Sequence, residues 1–147
     1  MKKVDLFIIV ALTTVFLFNG VGQTQQYETQ ANRLESFLFN YCQIYESKDA
    51  EKLANFFSSD ATENNKPFKE LQPKYRSNMK KFKSVNYRID LEAYSINTDT
   101  GNVRIKGKYF IRILLPGEPW KENRGPISME LIESGDSYLI KRLSYGE

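Results

Sequence analysis

Nine tyrosines, a lone tryptophan, one cysteine and no histidine bound the chemistry open to this 147-residue chain. Without histidine it lacks the commonest general base, the usual nucleophilic triads and dyads, and the commonest metal ligand. Cys42 alone makes neither an intramolecular disulfide nor a cysteine-based zinc site within one chain. What remains is a carboxylate working with a hydroxyl donor. Asp90, Glu92 and Glu130 are poorly placed for that, because each alternates with apolar residues and falls on the polar face of its strand. No catalytic constellation stands on its own, and no metal or cofactor site is expected. The aromatic content of 14% is high for a small domain. It points either to a core built on rings or to a pocket lined by them. A net charge of +3, with 21 basic and 18 acidic residues, is too small to argue for nucleic acid.

The elements that would position these rings centre on Ser84–Leu115. Val85, Tyr87, Ile89 and Leu91 alternate with Asn86, Arg88, Asp90 and Glu92, the period of a half-buried strand. After the turn Asn97–Gly101, residues Val103, Ile105, Tyr109, Ile111 and Ile113 share one face, and Arg104, Lys106, Lys108 and Arg112 the other. The two arms form a long hairpin, which must twist and coil to pack on helices. Gly107 supplies a bend. Tyr94 and Ile96 continue the apolar pattern one residue out of phase, which predicts a bulge at Glu92–Tyr94. The basic stripe pairs with Asp90, Glu92 and Glu130 as a solvated face.

Before the hairpin the chain reads as helical. Lys2 and Lys3 precede the 13-residue apolar run Leu6–Phe18, and Asn19–Gly22 breaks it. The run is short against the ~20 residues of a bilayer span. Residues 1–22 therefore read as a signal peptide, with an uncleaved anchor at residues 6–18 as the alternative. Residues 23–29 read as a polar spacer and 30–147 as one domain. A helix over Gln30–Ser47 aligns Leu34, Phe37, Leu38, Tyr41, Cys42 and Tyr45 in one stripe. Asp49 caps a second helix, with Leu53, Phe56 and Phe57 on its buried face and Ser58–Asp60 at its end. Ala61–Lys66 reads as a link. Pro67 opens a third helical region, capped and oriented by Glu63 and Asn64, and Pro73 starts or kinks the part carrying Tyr75, Met79 and Phe82. After the hairpin, Pro116–Gly125 reads as a loop, Pro126–Glu133 as a strand with Ile127, Met129 and Leu131 inward, and Ser137–Tyr145 as the last strand.

Three stretches carry a resemblance to a known family. They are Tyr41-x3-Tyr45-x3-Asp49-x3-Leu53-x2-Phe56-Phe57-x2-Asp60-Ala61, then Pro67–Phe82, then Ile127–Leu131 with Gly135-Asp136-Ser137-Tyr138-x-Ile140. Together they resemble the nuclear transport factor 2-like (SnoaL-like) superfamily over Gln30–Tyr145. The pattern Glu63-Asn64-x-Lys66-Pro67-Phe68, with Trp120 later, is similar to a bacterial envelope branch found at the C-terminus of L,D-transpeptidases. The transpeptidase activity itself is not implied, since the only cysteine lies on a helix face. The resemblance implies an α+β cone, three helices packed on a strongly curved antiparallel sheet. Its mouth would gather Tyr41, Tyr45, Tyr75, Tyr87, Tyr109 and Trp120. Those rings either line a pocket for a small apolar or sugar-like ligand or fill the core. Enzymes of the superfamily place a carboxylate and a hydroxyl inside the cone. Here Glu63 with Tyr41 or Tyr45 is the pair that could serve. Arg142 either pairs with Glu130 or points inward as an anion anchor.

The reading that follows is an exported binding or interaction module of the bacterial envelope, periplasmic or secreted, with a small ligand or an envelope protein as partner. Trp120 and Arg124 are the candidates for partner contact. A homodimer through the outer sheet face is compatible with it. One alternative is a small lyase, isomerase or hydrolase using the carboxylate–tyrosine pair. Another is an envelope assembly component held in the inner membrane by residues 6–18.

Overall fold

The computed structural model describes the backbone of residues 21–146 and the side chains from residue 29 onward. Residues 1–20 of the expected signal segment lie outside the described residues, and its last two, Val21 and Gly22, begin the first helix. α1 spans Val21–Glu46, beginning earlier than Gln30, because the polar stretch ahead of the apolar stripe holds no proline and continues the helix. Leu34, Phe37, Leu38, Tyr41 and Cys42 are buried along it, as their 3.6-residue spacing requires. α2 is only Ala50–Ala54, with Asp49 as its N-cap accepting from the Lys52 amide at 3.0 Å. α3 runs unbroken over Phe68–Lys81 with Pro73 inside its second turn, so Pro73 neither starts nor ends it. No described helix is long and apolar enough to cross a membrane.

Six strands form one sheet in the order β2-β1-β6-β5-β4-β3. They are β1 Phe57–Glu63, β2 Lys66–Pro67, β3 Ser84–Ile96, β4 Val103–Leu114, β5 Lys121–Ser134 and β6 Ser137–Tyr145. Two corrections follow. The segment from Phe57 was expected to finish a helix and pass into a link, but it is a strand, and it pairs parallel with β6. Its run of Ser, Ser, Asp and Thr shows no apolar alternation because only Phe57 and Ala61 face the core. The sheet is therefore mixed rather than purely antiparallel. β5 also begins at Lys121 instead of Pro126, so half of the expected loop is paired strand.

The hairpin matches its periodicity. Leu91 sits opposite Gly107 and Ala93 opposite Lys106, which leaves Glu92 as the extra residue of a bulge. Beyond it Tyr94 is buried, while Ile96 at the turn stays exposed. Opposite the bulge, the backbones approach so closely at Gly107 that an added Cβ would lie 2.3 Å from the Asp90 carbonyl oxygen. A second bulge lies in β6: Glu130 pairs with Arg142 but Leu131 pairs with Ile140, leaving Lys141 over. The inward face of β6 thus switches from Tyr138 and Ile140 to Leu143 and Tyr145.

β3 is a sheet edge, and α1 covers part of it. Glu46 accepts from the Tyr87 amide at 2.7 Å, and the Cys42 sulfur receives the Ile89 amide. Two edge donors that could pair with another chain are thereby used internally.

Candidate functional site

Between the inner face of the sheet and the helices lies a cavity of about 290 Å³ lined by Tyr45, Tyr75, Tyr87, Tyr109, Ile111, Asn123 and Tyr145. Each ring has a local reason to be there. Tyr45 ends the α1 stripe, and Tyr75 sits on α3 two residues after Pro73. Tyr87 and Tyr109 lie on the inward parity of the hairpin, with Tyr87 opposite Ile111 and Tyr109 opposite Ile89. Tyr109 also faces Gly125 across β4–β5, where an added Cβ would be 3.2 Å from its ring. Tyr145 reaches inward because the Lys141 bulge shifts the phase of β6. Asn64 fixes that strand end, its side-chain oxygen accepting from the Tyr145 amide at 2.9 Å. Tyr109 and Tyr145 at 5.0 Å and Tyr45 and Tyr75 at 6.2 Å between centroids pack edge to face, while Tyr45 and Tyr87 at 4.9 Å are tilted at 51°.

The hydroxyls are partly paired. Tyr87 and Tyr145 share a hydrogen bond of 3.0 Å, and Tyr75 donates to Glu63 at 2.6 Å. Tyr41 lies beneath the cavity, fully buried among Phe56, Phe57 and Tyr87. Its hydroxyl lacks a well-formed hydrogen bond, though it approaches Tyr145 closely enough to act on that phenol. Burial raises the pKa of the Tyr41, Tyr45, Tyr75, Tyr87 and Tyr145 phenols, that of Tyr45 to about 12. They stay protonated at neutral pH and are available as donors.

Glu63 shares the inward parity of Ala61 on β1. Burial raises its pKa above the ordinary carboxylate value, against the opposing Tyr75 hydrogen bond and the more distant Lys74. The folded carboxyl therefore binds its proton more tightly than the unfolded one. Its contribution to stability is present at low pH and is lost as pH rises through the folded-state pKa. Glu63→Gln, which keeps an acceptor for Tyr75, is expected to melt at or above the parent temperature at pH 7.5, with the advantage fading toward pH 4.5. Thermal melts at both pH values check this, and a variant weaker than the parent only at pH 7.5 would contradict it.

Of the residues singled out from sequence, the cavity collects Tyr45, Tyr75, Tyr87 and Tyr109, with Glu63 directly behind Tyr75 and Tyr41 below. Arg142 and Trp120 do not join them. Arg142 points outward to Glu130, because the Lys141 bulge reverses its parity. Trp120 lies on the outer side, with the Arg112 guanidinium 4.8 Å from its ring centre, and Arg124 is exposed on the same face. Glu63 and Asn64 do not cap α3, whose N-cap is Pro67 with no side-chain hydrogen bond. They act instead through Tyr75 and Tyr145. Tyr145 was missed, although Tyr138, Ile140, Leu143 and Tyr145 show the same one-residue phase slip that revealed the β3 bulge.

No family model and no curated protein sequence matches this chain. Solved structures do. A provisionally assigned scytalone dehydratase from Novosphingobium aromaticivorans superposes with a TM-score of 0.72 at 13% identity, over 82% of this chain and 85% of that one. ActVI-ORFA from Streptomyces coelicolor gives 0.67 at 14%, over 80% and 96%. The fold is the nuclear transport factor 2-like cone. Bd1075 from Bdellovibrio bacteriovorus contains the cone as well, with a TM-score of 0.63 at 17% identity over 83% of this chain but only 42% of its own length. At these identities the likeness is one of fold. The hydroxyls inside this cone are those of its own sequence.

Proposed function

We propose that the cone is a small-molecule binding pocket in an exported module. The observation that carries this is the cavity itself, five tyrosine rings around about 290 Å³ with no charged residue in the lining. That volume sits at the lower limit of small-molecule sites, near ~300 Å³, and the lining combines apolar ring surface with a few orienting hydroxyls. The closed-core alternative is disfavoured because the rings leave space between them. Export is supported by Lys2 and Lys3 ahead of the apolar run Leu6–Phe18, and the envelope setting by the Glu63–Phe68 and Trp120 pattern. The exposed Trp120 and Arg124 would then serve a partner on the outer face.

The test is a structure of the chain after incubation with a mixed metabolite extract. Density among Tyr45, Tyr75, Tyr87 and Tyr145 is expected, and an unaltered cavity after exposure to chemically diverse extracts would sink the reading. Mass spectrometry of the cell-envelope fraction checks export, with Gln23 as the expected first residue. Recovery only of the intact chain from the cytosolic fraction would overturn it.

A second reading, a lyase or isomerase, is favoured by one contact. Glu63 and Tyr75 form a carboxylate–phenol pair at the cavity wall, and a provisionally assigned dehydratase stands among the fold neighbours. Turnover that survives Glu63→Gln unchanged would remove this pair from consideration.

A further inference from the structure

We propose that the ligand of this cone is a small organic cation, an ammonium group seated against the tyrosine rings with Glu63 as its counter-charge. This deepens the pocket reading above and rests on it. The argument begins with sign. The lining carries no lysine or arginine, so a carboxylate, phosphate or sulfate would enter without a partner and lose its hydration uncompensated. Glu63 is the acid bonded to a hydroxyl of the lining, one phenol behind the wall, whereas Glu46 reaches the lining only at the backbone amide of Tyr87. Glu63 takes part in none of the ion pairs among the described residues, and its hydrogen-bond partner is the neutral Tyr75 phenol. Lys74, the basic residue that acts on it, is exposed and makes no direct contact. A half-buried carboxylate one phenol behind a cavity wall that carries no cation favours a positive guest.

The rings supply the second part. An aromatic face carries negative potential, and a desolvated ammonium is attracted to such faces. Tyr45 stands steeply tilted to both Tyr75 and Tyr87, and Tyr109 is nearly perpendicular to Tyr145. The rings around the cavity are therefore steeply inclined to one another, an arrangement better suited to a roughly spherical ammonium than to a flat ligand. The Tyr75 hydroxyl, already donating to Glu63, relays the negative charge toward the cavity through its oxygen. The remaining polar group, Asn123, adds an amide to orient a hydroxyl or carbonyl on the guest.

The test uses the full chain and three probes in calorimetric titrations. They are choline, its neutral carbon isostere 3,3-dimethylbutan-1-ol, and p-cresol as a neutral aromatic. Choline is expected to bind at least ten-fold more tightly than the isostere. Glu63→Gln is expected to erase that preference, bringing the two within two-fold. Equal or tighter binding of the isostere by the parent chain overturns the cation inference, as does a preference unchanged in Glu63→Gln. If p-cresol alone binds saturably, the inference falls while the small-molecule pocket stands. If none of the three binds, both fall together.

Discussion

Tyr41→Ala is expected to lose about 3–5 kcal/mol of folding stability, the range for truncating a fully buried aromatic to alanine. Tyr41 is completely buried, and its ring meets Phe56 at 5.6 Å, Tyr87 at 6.0 Å and Phe57 at 6.3 Å, each close to edge-on. It joins α1 to the α2–β1 corner and to the hairpin, so its loss opens a cavity where three parts of the core meet. Tyr41→Phe should behave oppositely. It keeps the ring and removes a buried hydroxyl that lacks a well-formed partner. Leaving such a group unsatisfied costs about 1–3 kcal/mol, so the phenylalanine variant should be as stable as the parent or more so. Urea unfolding of the three proteins decides it. A phenylalanine variant more than about 1 kcal/mol weaker than the parent would show that the hydroxyl is firmly bonded, with Tyr145 as the partner.

The second large effect belongs to Gly107. Gly107→Ala is expected to cost about 3 kcal/mol, the upper end of overpacking penalties. The new Cβ would lie 2.3 Å from a backbone oxygen, that of Asp90, and backbone in a paired strand cannot swing aside as a side chain can. Relief would require separating β3 from β4 next to the Glu92 bulge, where the hairpin bends around the helices. Gly101→Ala is the natural comparison. Nothing lies within 4 Å of its Cβ position, and only its φ of 73° resists a side chain, a left-handed strain of about 1–2 kcal/mol. If Gly107→Ala proves no worse than Gly101→Ala, the close approach does not hold the curvature. The tyrosine variants above would then be the better handle on the cone's shape.

These two sites also show what kind of information a sequence holds. Gly107 and the phase slip at Ala93 were legible because alternation in a strand is local: neighbouring residues take opposite faces whatever pairs with them. The α1 stripe was legible for the same reason, since a helix presents every third or fourth residue to one side. Asp49 needed only its own side chain and the amide of Lys52. The strand Phe57–Glu63 could not be read that way. It pairs with β6 across more than seventy positions, and its exposed face is too polar to alternate visibly. Its strand character comes from the backbone donors and acceptors of a neighbour that sequence spacing does not name.

The site divides along the same line. Inward parity placed Tyr87 and Tyr109 on the correct face, and helical spacing did so for Tyr45, so the residue types and the loss of histidine chemistry were properties of the sequence alone. Which rings meet was decided by tertiary structure. One extra residue in β6 turned Arg142 out to Glu130 and Tyr145 in to Tyr87. Pairing of Lys121–Gly125 with β4 carried Trp120 to the outer face, against Arg112. Glu63 found Tyr75 rather than the α1 tyrosines because β1 runs beside α3. Each of these depends on how distant strands register, and a one-residue change in register reverses the face of every side chain beyond it.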